Sequence, residues 1–273
     1  MDDPTTNPRF TGSIPELYDR HLVPLLFDWY ARDIAARVRE LDAGSVLEVA
    51  AGSGVVTREM ANVLDPGTAI TATDLSGPMI EQARAAGTSR PVEWGTADAM
   101  ALPYDAATFD VVVSQFGVMF VPDKVQGFSE MRRVLRPGGT LIVSVWGRLE
   151  DNGFSNAVQD GLESCFPDDP PRFLPDGAFG YHSQSRIQAD IVSAGFRDGV
   201  ALEVLDHVSR SASPAEMAVA MCHGGPVRTE IEARDPDGLE RVTAAVAELV
   251  RERYGSTDLR APMRAIYVTA QKA

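Results

Sequence analysis

Between residues 45 and 147 short apolar runs alternate with amphipathic ones, and that alternation leaves few folds open. "VLEVA", "AITATD", "PVEWGTAD", "FDVVVSQF" and "TLIVSVWG" read as five strands, with the helical patterns "SGVVTREMANVL", "SGPMIEQARAAG" and "DKVQGFSEMRRVL" among them. The valine run of the fourth suits a strand buried on both faces. Strands separated by helices pair in parallel through right-handed crossovers. The expectation is an α/β protein with a Rossmann-like, doubly wound, mostly parallel sheet.

The flanks follow the same logic. Residues 13–40 repeat apolar side chains at helical spacing, with Ser13 as the cap, Pro15 in the first turn and a break at Pro24. Ser76 should cap the second core helix, and "RPGG" should end the third. Residues 184–196 read as a helix, "GVALEVLDHVSR" as a sixth strand and "MRAIYVTAQKA" as a last one. Five regions result: a helical N-terminal cap (1–43), a core (44–147), a loop insertion with the rest of the core (148–212), a helical lid (213–260) and the final strand (261–273).

Ligands on parallel sheets bind beyond the carboxyl ends of the strands. Glu48, Asp74, Asp98 and Gln115 all fall at or near predicted strand ends, so four segments deliver polar groups to one edge. Between the first two lies "VLEVAAGSG", where Gly52 and Gly54 permit unusual dihedrals and a close backbone approach. A dinucleotide turn would place its third glycine where Thr57 stands, and it has no use for Glu48. Asp74 follows the turn by about 20 residues, the spacing of an acid that holds a ribose diol.

These motifs resemble class I S-adenosylmethionine-dependent methyltransferases. "VLEVAAGSG" is similar to their first motif and "ATDLSGPMI" to their second. "GTADAMALPYDAATFDVVVSQFGVMFVPD" and "MRRVLRPGGTLIVSVW" resemble the stretches that follow in the ubiquinone/menaquinone-biosynthesis-like (methyltransferase type 11) subgroup. The likeness runs over residues 44–147 in the family's order. It implies S-adenosyl-L-methionine as cofactor and a seven-stranded sheet whose last strand is antiparallel. It assigns Glu48, Gly52 and Gly54 to the methionine portion, Asp74 to the ribose, and Met79, Asp98 and Ala99 to the adenine, with Ala50 and Leu75 as further cofactor contacts. It also places the backbone at Gln115 and Phe116 near the amino group and Tyr18 over the site as a lid. Ala50 is a departure, since many members carry glycine there.

The acceptor is less legible. The run after the fourth strand, "SQFGVMF", is apolar and aromatic and lacks the Asn/Asp-Pro-Pro-Tyr segment of nucleic-acid base methylases, which favours a small, greasy molecule. Phe120 in that run reads as core. His182 and His223 are candidate catalytic bases, whereas His21 and His207 read as structural. A net charge of −14 argues against nucleic acid. Cys165 and Cys222 have no partner at metal-ligand spacing, so no metal is expected, and they suit a reducing, cytoplasmic setting. No apolar run reaches membrane-span length, and "MDDPTTNPRF" is too acidic for a secretory leader. The helical insertion offers a surface for a homodimer. Two other readings stay open: an NAD(P)-dependent oxidoreductase, and a cofactor-binding or pericyclase-like protein that transfers no methyl group.

Overall fold

The computed structural model describes residues 12–197 and 199–273, and the acidic first ten residues lie outside them. The strands are β1 Ser45–Val49, β2 Ala69–Asp74, β3 Glu93–Thr96, β4 Phe109–Gln115, β5 Leu135–Trp146, β6 Ala201–Ser211 and β7 Leu259–Gln271. They form one seven-stranded sheet in the order β3-β2-β1-β4-β5-β7-β6. β7 runs antiparallel to both neighbours, and the pairings among β1 to β5 are parallel. This is the expected Rossmann-like sheet with its reversed last strand. The order turns back between β1 and β4, which is where a ligand crevice opens in such sheets.

The helices are α1 Ile14–Leu17, α2 Asp28–Arg39, α3 Val55–Val63, α4 Gly77–Ala86, α5 Lys124–Val134, α6 Gly153–Cys165, α7 Gln184–Ser193, α8 Pro214–His223, α9 Pro226–Arg234 and α10 Leu239–Tyr254. Val111, Val112 and Val113 of β4 are all but inaccessible, as their run implied. α2 packs on α3, and α10 packs on α6 and α8.

Three local expectations need correction. Pro24 does not break the first helix. Tyr18–Phe27 winds as a π-helix instead, and the Asp28 amide bonds the Val23 carbonyl five residues back. Proline has no N–H for the usual bond, so the wider turn carries the chain past it. Ser209 Oγ, buried on β6, donates to the Leu25 carbonyl in this stretch at 2.7 Å. Second, neither Ser13 nor Ser76 caps with its side chain. The Ser76 hydroxyl is buried without a hydrogen-bond partner among the described residues, while Asp123, Ser183 and Ser213 do cap their helices. Third, α5 does end just before "RPGG", at Val134, but that run lies inside β5, which begins at Leu135 and not at Thr140. Gly138, at φ 79°, loops out between Phe109↔Leu135 and Val111↔Thr140, and Lys272 near the C-terminus bonds across it.

Candidate functional site

The chain leaves β1 through three left-handed residues in five: Ala50 (φ 59°), Gly52 (φ 56°) and Gly54 (φ 81°). Gly54 is held by packing as well, because a Cβ there would meet the Trp94 ring at 2.7 Å and Ala83 at 3.1 Å. It does not line the cavity described below, although its neighbours Ser53 and Val55 do. Gly52 does line it. Ala50 pays a steric penalty that glycine would not, of about 1–2 kcal/mol for a left-handed L-residue. A second left-handed bend, at Phe116 (φ 51°), ends β4. There Gly117 lies so close that a Cβ would sit 2.4 Å from that of Ala50.

Asp74, at the end of β2, ties this turn down. Its Oδ2 accepts from the Gly52 amide and its Oδ1 from the Ser76 amide, both at 2.8 Å. Burial pushes its pKa up against those two bonds. Glu48 is 1% exposed and accepts a very short bond from the Thr57 hydroxyl. Burial drives its carboxyl up to about 8, opposed by the Thr57 bond and by Arg58, and Asp74 adds to the rise. Thr57 thus stands in the third-glycine position and bonds the acid that a dinucleotide site lacks. Asp98 lies past β3, with Oδ1 accepting from the Met100 amide at 2.8 Å.

These groups converge on a cavity of about 540 Å³. Tyr18, Glu48, Ala50, Gly52, Asp74, Leu75, Met79, Asp98, Ala99, Gln115 and Phe116 all line it. Its walls hold three carboxylates and, among the described residues, no Lys, Arg or His. Gln115 Oε1 is buried there without a hydrogen-bond partner among the described residues. Leu75 is 41% exposed, an unusual position for a leucine unless something covers it.

A second, apolar chamber of about 80 Å³ shares Tyr18, Phe27, Phe116, Phe120 and Phe173 with the first. Trp146 stacks on Phe116 at 3.7 Å and on Phe179 at 5.8 Å. Phe120 is not core: it is 40% exposed and stacks on Phe173 at 5.7 Å. The candidate bases are not brought in. His182 is exposed with Nδ1 2.8 Å from the Phe179 carbonyl, and His223 Nε2 lies 2.9 Å from Thr243 Oγ1; neither lines either cavity. His207 stacks on Trp29 at 4.2 Å. No group of three His, Cys, Asp or Glu among the described residues could hold a metal ion, and no described helix is long and apolar enough to cross a membrane.

Sequence reasoning did not single out Asp19, Ser53, Arg58 or Trp146. Ser53 was within reach, since it stands inside the glycine motif. Asp19 neighbours Tyr18, but its bond to a residue 34 positions away leaves no local signal.

A methyltransferase-domain family matches residues 47–143. The ubiquinone/menaquinone biosynthesis C-methyltransferase UbiE of Geobacter sulfurreducens is 32% identical over 183 residues, which span 62% of this chain and 71% of that protein. The chain belongs to the class I S-adenosylmethionine-dependent methyltransferases. Solved structures agree on the fold. Phosphoethanolamine N-methyltransferase 2 of Haemonchus contortus, in complex with S-adenosyl-L-methionine, superposes with TM-score 0.56 at 18% identity over 94% of this chain and 56% of that one. The [4+2]-cyclase SpnF superposes with TM-score 0.54 at 23% identity over 90% and 81%. The methyltransferase's cavity fits its cofactor, S-adenosyl-L-methionine. A ligand with a sulfonium and an ammonium suits three carboxylates and an orphaned amide oxygen, whereas a dinucleotide's pyrophosphate would meet acids alone.

Proposed function

We propose that the enzyme methylates an oxygen or carbon of a small, largely apolar molecule by in-line displacement. The observation that carries this reading is the join between two unlike spaces. An acid-lined cavity meets an aromatic chamber across the shared side chains Tyr18, Phe27, Phe116, Phe120 and Phe173. When bound, the cofactor supplies a methyl group on a sulfonium whose charge vanishes as the nucleophile attacks, so positioning and water exclusion carry most of the acceleration.

In this reading Asp74 accepts from the ribose hydroxyls while it holds Gly52 and Ser76, Asp98 and Ala99 face the adenine, and Leu75 and Met79 flank it. Glu48 and Gln115 Oε1 receive the ammonium end, and Tyr18 covers the site. The chamber's outer wall comes from the later insertions: Phe173, Leu174, Ala178 and Phe179 on one side, and Met221, Pro226 and Val227 of the helical segment 213–260 on the other. That segment acts as a lid. At about 80 Å³ the closed chamber is smaller than the roughly 150 Å³ cavity that holds benzene, so the lid yields when an acceptor ring enters.

The chamber's hydroxyl-bearing side chains are Tyr18 and Ser155, and among the described residues no carboxylate or imidazole lines it. The nucleophile therefore loses its proton without a dedicated base, which suits an enolised carbon or an acidic phenol better than an alcohol. The Geobacter relative is named a quinone-biosynthesis C-methyltransferase, which supports carbon as the target. The same absence of a base favours a second reading, a cofactor-retaining cyclase that only folds its substrate. We place the enzyme in the cytoplasm, supported by two unpaired cysteines.

Thermal shift separates the cofactors: S-adenosylmethionine and S-adenosylhomocysteine should stabilise the protein and NAD should not. Transfer of labelled methyl to phenols, quinols and prenyl compounds then tests the chemistry. Cofactor binding with no labelled product from any of them would favour the cyclase.

A further inference from the structure

The glycine turn is bonded to the N-terminal segment. Ser53, 1% exposed between Gly52 and Gly54, donates its hydroxyl to Asp19 Oδ1 at 2.7 Å. Arg58, in the first turns of α3, donates Nη2 to the same oxygen at 2.7 Å and Nη1 to the Ser53 carbonyl at 2.7 Å. The Asp19 and Arg58 side chains are 18% and 24% exposed, so this pair is shielded better than a surface ion pair. Arg58 thereby grips the turn and the segment at once.

The segment it grips serves both spaces. Within Tyr18–Phe27, Tyr18 and Phe27 line the cofactor cavity, and Tyr18, Leu22, Leu26 and Phe27 line the aromatic chamber. Its far end is anchored separately by Ser209 on the Leu25 carbonyl. The Tyr18 phenol is pushed up by burial, then by Asp74 and Asp19, which places the latch and the cavity acid in one electrostatic neighbourhood.

We propose that Asp19, Ser53 and Arg58 form a latch of positioning residues that couples seating of the cofactor on the glycine turn to closure of the acceptor chamber, so that cofactor binds first and acceptor second. The inference rests on the site assigned above. A ligand pressed on Gly52 orders the turn that presents Ser53. Ser53 and Arg58 then hold Asp19, and Asp19 sets the wall formed by Leu22, Leu26 and Phe27. Coupling of this kind is reciprocal, so an acceptor also slows cofactor release.

The test uses S-adenosylhomocysteine by calorimetry and the neutral aromatic probe 1-naphthol by equilibrium dialysis. In the native protein, saturating S-adenosylhomocysteine should tighten 1-naphthol by about tenfold. Asp19→Asn should weaken S-adenosylhomocysteine about tenfold and cut the gain in 1-naphthol binding to about twofold or less. Arg58→Gln should do the same, and the double variant no more than either alone. Ser53→Ala, which keeps the ion pair, should lose about threefold, and Asp19→Glu should stay within about threefold of the native protein. A purely structural pair would lower the melting temperature without touching the 1-naphthol gain. The latch is overturned if Asp19→Asn holds S-adenosylhomocysteine as tightly as the native protein. It is overturned equally if the 1-naphthol gain survives in that variant or is missing from the native protein. A native protein that binds no S-adenosylhomocysteine overturns the site reading itself, a distinct result.

Discussion

The cofactor cavity and the acceptor chamber touch, yet they are built on opposite plans. Most of the cavity wall comes from residues 48–122, at the ends of β1, β2 and β4 and just past β3, with Asp74 and Asp98 tied to backbone amides and Glu48 to the Thr57 hydroxyl. The chamber draws on residues 18–27, 116–120, 146, 155, 173–179 and 221–227, and its walls are mostly aromatic and aliphatic, with no ionisable group among the described residues but a phenol. One space is defined by short hydrogen bonds among near neighbours. The other is defined by how distant segments happen to pack. A protein of this kind can change its acceptor by changing insertions while the cofactor seat stays intact.

The sharpest way to break that contrast is Asp74→Ala. It removes the acceptor of two amides as well as the proposed ribose contact, so S-adenosylhomocysteine affinity should fall by at least about 100-fold, close to 3 kcal/mol. Calorimetry that finds less than tenfold would mean the turn holds itself. Phe179→Leu probes the other space. Phe179 lines the chamber but not the cavity, so acceptor kcat/KM should drop roughly tenfold while S-adenosylhomocysteine affinity moves less than about twofold. If both constants shift together, the two spaces are one.

Glu48 sharpens the comparison through pH. Its folded pKa of about 8 lies above the ordinary carboxylate value, so the buried acid is protonated in the free enzyme at neutral pH. For the free protein, this group's contribution to stability is present at low pH and is lost as pH rises towards 8. A cationic ligand needs the ionised form. Cofactor affinity should therefore increase as pH climbs to about 8, by at most about tenfold per unit, and then level off. Glu48→Gln should flatten that profile, weaken the cofactor and raise the melting temperature of the free protein at pH 8; a native profile flat from pH 6 to 8 would remove Glu48 from the ligand's reach. The smallest effect belongs to Ala50→Gly. Relief of left-handed strain opposes the added freedom of the unfolded chain, so denaturation should show a gain between zero and about 1 kcal/mol, where the same change in a helix costs about 1.

Reading from residues succeeded where spacing along the chain carries the physics. Glu48, Asp74, Asp98 and Gln115 each end or closely follow a strand, so strand polarity alone sends them to one edge, and they line one cavity. It failed where a neighbour far away in sequence decides. Gly54 looks like a ligand-facing glycine until Trp94 and Ala83 are seen beneath it. Phe120 looks like core until its exposed ring is found against Phe173. His182 and His223 have the right chemistry, but the loop that holds His182 and the end of α8 that holds His223 set them against the Phe179 carbonyl and the Thr243 hydroxyl.

Period and punctuation alone dictated the parallel sheet, its helices and an acidic rim at the strand ends, because hydrophobic periodicity, glycine dihedrals and strand direction are local properties. Packing settled what no local property encodes. Insertions about forty residues apart close one aromatic chamber, Asp19 finds Ser53 and Arg58, and no imidazole among the described residues lines it. Those outcomes depend on which nonpolar surfaces bury each other, a choice made only when the whole chain is compact.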